Sequence, residues 1–233
     1  MPALFRHRPF KPVVTYPKSN TTCGRAAFTL IEMVAVIAIL VILMTAGISL
    51  LNGSGAQSRK AGSDLLTAMI EQARTTAITS RSYVVLAIAE PGDLPAGDER
   101  CRIGLFKVEE WPDPATTPLL LKGALLNHWQ TLNPGIVPIG GDVDGVANPL
   151  DQPQVTISYG GVKNLSVKVH AIAFNSRGGL HYPAGSDPVA IRLAEGAYRG
   201  GKVIPNMRGE GKTIAENRLK IGRVTARPYR IDG

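Results

Sequence analysis

Residues 28–51 read FTLIEMVAVIAILVILMTAGISLL, a run that is apolar almost throughout. From Met33 to Ser58 there is no charged residue, and most of the run is Val, Ile, Leu, Met and Ala. About 20 helical residues cover a hydrocarbon core of about 30 Å, so the run is long enough to span a bilayer. The segment before it, residues 1–27, carries Arg6, Arg8, Lys11, Lys18 and Arg25 and no Asp or Glu. That asymmetry predicts a cytoplasmic N-terminus and an exported C-terminal domain. The parts stand in the wrong order for a secretory signal peptide, whose small-residue cleavage site follows the apolar region. Here the small-residue patch Cys23-Gly24-Arg25-Ala26-Ala27 precedes it, so a cut there leaves the apolar run in the mature chain.

Glu32 interrupts an otherwise plain anchor, because a carboxylate at the edge of hydrocarbon is costly without a partner. One reading leaves it solvated at the level of the headgroups. The other makes Ala27 the last residue removed. Phe28 then gains a positive α-amine, and Glu32 becomes the fifth mature residue. Among packed helices, Glu32 of one subunit can meet the amine of its neighbour. Two charges that hydrocarbon tolerates poorly alone become tolerable as a pair.

The 233 residues are enough for one domain of ordinary size with a real core. With 44% hydrophobic residues and a mean hydropathy of +0.05, the chain is neither disordered nor polytopic. The formal net charge is +8, and removing the five leader cations leaves +3. Much of the basicity therefore belongs to the leader and not to a nucleic-acid face. Of the two cysteines, Cys23 lies in the leader and Cys101 remains, which excludes a disulfide within the mature subunit. Cys101 opens the alternation Cys101, Ile103, Leu105 and reads as a small buried hydrophobe.

Beyond the apolar run, Asn52-Gly53-Ser54-Gly55 predicts a kink or local unwinding, since glycine costs a helix roughly 1 kcal/mol against alanine. Leu66, Ile70, Ala73 and Ala77 then recur at helical spacing, widened by Leu65, Met69 and Ile78. After Ser82 the pattern changes to strands, over Tyr83–Ala89, Cys101–Glu109, Pro118–Leu121, Leu125–Thr131, Val155–Tyr159, Ser166–Phe174, Val189–Ala194 and Leu219–Ala226. One long helix followed by successive strands predicts an α+β layer, the helix lying on an antiparallel sheet. The expected organisation is a leader over 1–27, a transmembrane helix over 28–52, its amphipathic continuation over 53–82, and a β-rich domain over 83–233.

The segment Ala27-Phe28-Thr29-Leu30-Ile31-Glu32-Met33-Val34-Ala35-Val36 resembles the processing site of type IV prepilins and pseudopilins. The resemblance implies a pilin-like fold and cleavage before Phe28 by a prepilin peptidase, which also N-methylates Phe28. It further implies a role for Glu32 in assembly and a single-pass protein of the bacterial inner membrane, with its C-terminal domain periplasmic. Implied partners are other pilins or pseudopilins of the filament, an inner-membrane assembly platform and the lipid bilayer. The family prefers Gly before the cut, where this chain has Ala27. Leu65–Ala87 and Ile172–Leu180, with Phe174, Gly178 and Gly222-Arg223, are similar to minor pseudopilins of the GspH/FimT type. That likeness implies a structural subunit of a type II secretion or type IV pilus-like filament.

A second function class comes from Arg218, Lys220, Arg223, Arg227 and Arg230, with Tyr229 interleaved. On a shared face they could hold phosphates with little sequence preference. Minor pilins of DNA-uptake systems use basic C-terminal residues of this kind, so DNA is a further candidate partner. Strand alternation would instead divide these residues between faces. The remaining constellations carry no chemistry. His7, His128, His170 and His181 have no metal spacing, and Asp142, Asp144, Asn148 and Asp151 read as a Gly/Asp-rich turn. Gly211-Lys212-Thr213 lacks the upstream glycine of a phosphate-binding loop. The sequence predicts no enzyme, no metal and no cofactor.

Overall fold

The computed structural model describes residues 29–94, 100–112, 119–160, 165–208 and 213–231, and within the helix the side chains of 43–54 are left out. The chain forms two compact units, residues 1–47 and 48–233. One helix, α1 (Leu30–Ser80), contributes to both. Fourteen strands follow among the described residues: β1 (Tyr83–Ala89), β2 (Arg102–Val108), β3 (Leu120–Leu125), β4 (Gln130–Thr131), β5 (Ile136–Ile139), β6 (Val155–Tyr159) and β7 (Leu165–Phe174) come first. Then come β8 (Leu180–Tyr182), β9 (Val189–Arg199), β10 (Lys202–Pro205), β11 (Met207–Arg208), β12 (Thr213–Ile214), β13 (Glu216–Ile221) and β14 (Pro228–Ile231).

The expected α+β layer, a helix on a single antiparallel sheet, is corrected. The second unit is mainly β, and five of its strands close on themselves. The ring runs β1-β2-β3-β6-β7 and returns to β1 through the β1–β7 pairing. It is not purely antiparallel, because β3 and β6 run parallel over Leu120–Lys122 and Thr156–Ser158. A second sheet joins β10, β9, β13 and β14, with β5 also on β9.

Ring closure explains why the strands of the barrel are buried on both faces. Along β1, Val85, Ala87 and Ala89 point into the barrel, while Val84, Leu86 and Ile88 point to the core outside it. On β7, Val167, Val169, Ala171 and Ala173 point in, and Ile172 and Phe174 point out. Five strands enclose a narrow interior, which side chains must fill without crowding. The register places Val85 opposite Ala173 and Ala87 opposite Ala171, so small residues meet where the two strands close the ring. Phe106 fills the wider part, edge-on to Trp129 and Tyr159 at 5.5 and 5.1 Å.

The outer core belongs to three elements at once. Leu66, Met69, Ile70, Ala73 and Ala77 of α1 pack with Leu86, Ile103, Leu105 and Phe174 of the barrel wall. Val189, Ile191 and Leu193 of β9 and Leu219 and Ile221 of β13 close the same cluster. The helical stripe read from the sequence is thus buried, but against two different β layers. Open edges are kept short and ended by proline: Pro228 begins β14, Pro205 ends β10 and Pro183 follows β8. Proline cannot donate to a further strand, which discourages edge-to-edge addition.

A second correction concerns the local unwinding expected at residues 52–55. They lie within α1, with no break in the helix. The reason for glycine here is contact. A Cβ on Gly55 would lie 2.4 Å from Oε1 of Glu195, a buried residue of β9.

Candidate functional site

The head of α1 is the first candidate. Glu32 stands three residues after Thr29, and the two close a reciprocal set of hydrogen bonds. The Thr29 backbone N–H and hydroxyl donate to Glu32 Oε2 at 2.9 and 3.0 Å, and the Glu32 N–H donates to Thr29 Oγ1 at 3.3 Å. This is a capping box, which satisfies backbone donors that no helical turn can reach. The spacing Thr-x-x-Glu is legible in the sequence, and the reading of Glu32 as an intersubunit partner passed over it. From Leu30 to Ile42 every residue is exposed, including Leu30 at 83% and Ile31 at 76%. The junction Ala27–Phe28 lies outside the described residues. Among the described residues, no helix is long and apolar enough to cross a membrane.

The basic residues near the C-terminus do not gather on one face. Arg218 and Lys220 alternate on β13 with the buried Leu219 and Ile221, and so point away from the core. Arg230 sits opposite Leu219 in the register, on the core side of the sheet, where it pairs with Asp64 of α1. Arg218 is bound to Glu216, with Nε 2.6 Å from Oε1. The other carboxylate oxygen of Glu216 takes Nη2 of Arg192 at 2.7 Å and Nε at 2.9 Å. Burial pushes the Glu216 carboxyl upward. The hydrogen bonds and charges of the two guanidinium groups outweigh burial and hold it below its ordinary value.

Arg223 is turned inward. Its Nε donates to the carbonyl of Asp187 at 2.8 Å and its Nη1 to the carbonyl of Pro183 at 2.5 Å. Desolvation pushes its pKa down, opposed by the charge of Asp187. Arg227 is exposed, and neither it nor Lys220 has a side-chain partner among the described residues.

The other constellations are structural. Asn148 Nδ2 donates to the carbonyls of Ile139 and Gly141 at 2.8 and 3.1 Å, while Asp151 accepts the Gly141 N–H at 2.9 Å. These contacts fold the loop at 140–151. Among the described residues no group of three or more His, Cys, Asp or Glu could hold a metal ion. Cys101 is buried, and burial pushes its thiol well above the ordinary range, so it carries no thiolate. An open groove of about 740 Å³ runs past Lys107, Glu109, Trp111, Leu120 and Lys122. Among the described residues its lining offers no hydroxyl or thiol nucleophile to set beside a base.

The sequence reasoning missed the Glu195–Arg59 pair, in which Arg59 Nη1 lies 2.8 Å from Glu195 Oε1. Glu195 is only 4% exposed. Nothing in the local pattern of β9 marks this carboxylate, because its partner lies 136 residues earlier in the chain.

Residues 23–48 match the family described as the prokaryotic N-terminal methylation motif. The match covers well under half of the chain and supports a type IV pilin-like protein, whose relatives are structural subunits. The motif implies processing by a prepilin peptidase and assembly with other pilins, as a membrane-anchored or exported filament subunit. No curated protein matches the chain, and no solved structure matches it.

Proposed function

We propose that the chain is a minor pseudopilin, a structural subunit cut and N-methylated at Phe28 and built into a type II secretion or type IV pilus-like filament. One observation carries the reading: an apolar helical stretch, exposed on every side over Leu30–Ile42, lies within the match to the N-terminal methylation motif at residues 23–48. A helix that is hydrophobic all round is stable only when lipid or other helices surround it. Lipid before assembly and neighbouring subunits after it meet that requirement. In this reading the Thr29–Glu32 cap serves the subunit in the membrane, and the α-amine of a neighbour's Phe28 competes for the same carboxylate on assembly. DNA binding through Lys220 and Arg227 is the second reading, but three of the five cations proposed for it are engaged within the subunit.

N-terminal sequencing of the chain extracted from membranes is expected to begin at Phe28. Glu32→Ala is expected to insert normally and to reach filaments poorly. A working chain that still begins at Met1 would overturn the proposal.

A further inference from the structure

Three segments of the second unit meet at the C-terminal end of α1. They are the last turns of α1 with the two residues that follow it, the turn 175–179 between β7 and β8, and the loop 222–227 between β13 and β14. Arg74 Nε donates to the Thr225 carbonyl at 2.6 Å, which ties the helix to the second loop. A Cβ on Gly178 would lie 2.6 Å from Ile78 Cδ1 and 3.5 Å from Arg74 Cγ, so the first turn sits directly on the helix. The Leu180 N–H donates to the Arg223 carbonyl at 2.9 Å and joins the two loops to each other.

Each segment carries one exposed arginine: Arg81, Arg177 and Arg227. None has a side-chain partner among the described residues, whereas Arg59, Arg192, Arg218 and Arg230 are all paired with carboxylates. No Asp, Glu or Lys occurs in residues 74–82, 175–179 or 222–227. The same segments also expose two apolar side chains, Val224 at 84% and Ile78 at 39%. The loops are preorganised. The Asn175 side-chain oxygen accepts the N–H groups of Arg177 and Gly179 at 3.0 and 3.1 Å, and the Ala226 N–H donates to the Gly222 carbonyl at 2.9 Å.

We propose that these three joined segments form a docking surface for a partner protein whose matching face combines acidic and apolar side chains. Protein interfaces combine an apolar middle with arginine and are depleted in lysine. Preformed loops lower the entropy that docking costs. A nucleic acid is the poorer fit: a phosphate backbone makes no use of Val224 or Ile78, and the three segments offer no aromatic ring on which bases could stack. Of the basic set read from the sequence, these segments contain only Arg223, which is turned inward, and Arg227.

The test uses the full chain in its native membrane, with a photo-crosslinking amino acid in place of Val224. The expected result is one discrete protein adduct whose crosslinked peptide, mapped by mass spectrometry, is rich in Asp and Glu. The triple variant Arg81→Glu, Arg177→Glu, Arg227→Glu is expected to reduce that adduct by about tenfold or more, since like charges across an interface repel. If charge reversal lowers the melting temperature, the Arg→Gln triple variant takes its place, with the same loss expected. An adduct indifferent to these changes, or no protein adduct, overturns the proposal. So does retention of a DNA duplex or of phosphatidylglycerol vesicles that the same variants abolish. N-terminal sequencing reports independently on the filament reading.

Discussion

Gly55→Ala separates helix propensity from tertiary contact. In an isolated helix this change stabilises by about 0.5–1 kcal/mol, because alanine loses less backbone entropy. Here the new methyl would stand 2.4 Å from Glu195 Oε1 and 2.7 Å from its carboxyl carbon, so the carboxylate must move. That carboxylate is held by Arg59 at 2.8 Å, with side-chain exposures of 16% and 5% for Arg59 and Glu195, so water screens the pair little. A charge-assisted hydrogen bond contributes about 1.5–3 kcal/mol, and overpacking costs about 1–3 kcal/mol. Loss of most of that bond outweighs the propensity gain, for a net cost of about 1–2 kcal/mol. The assay is urea denaturation of the unit 48–233, for Gly55→Ala, Glu195→Ala and the double variant. Glu195→Ala alone is expected to cost about 3–5 kcal/mol, since it strands a buried guanidinium. In that background Gly55→Ala should stabilise by up to about 1 kcal/mol, because the obstruction is gone. A stabilising Gly55→Ala in the wild-type background would refute the placement of the helix against Glu195.

The Glu216 cluster predicts a dependence on pH. Its folded carboxyl lies below the ordinary value of 4.5, so its stabilisation is fully present above that pH and is lost as pH falls through the folded value. The difference in melting temperature between wild type and Glu216→Gln should therefore shrink between about pH 6 and pH 3. The barrel makes a steric prediction. Ala171→Leu, in the narrow interior opposite Ala87, should cost about 1–3 kcal/mol by thermal melting, while Lys168→Leu on the exposed face of the same strand should stay within about 0.5 kcal/mol.

Several strands were legible because period-two patterning and turn residues are local signals. Tyr83–Ala89 and Val155–Tyr159 stand where the sequence reading put them, and β7 begins one residue earlier than expected. The expected strand Leu125–Thr131 is divided, with Leu125 ending β3 and Gln130–Thr131 forming β4, and β5, β8, β10 and β14 have no counterpart among the expected strands. The missed strands are short or contain proline, so their pairing is imposed by neighbours and not by their own pattern. The basic C-terminal set had a clear sequence signal, yet alternation on β13 and β14 sends Arg230 to one face and Arg218 and Lys220 to the other.

The uncharged apolar run, the carboxylate at its head, the buried stripe that follows and the motif that includes the run can all be read from the sequence, because each depends on residues a few positions apart. Only the tertiary structure decided that β1 and β7, about 90 residues apart, would close a barrel. Tertiary packing likewise brings Gly55 against Glu195 and leaves three arginines without carboxylates on three joined segments. Those outcomes depend on which distant surfaces exclude water together, and nothing in a residue's immediate neighbours encodes that choice.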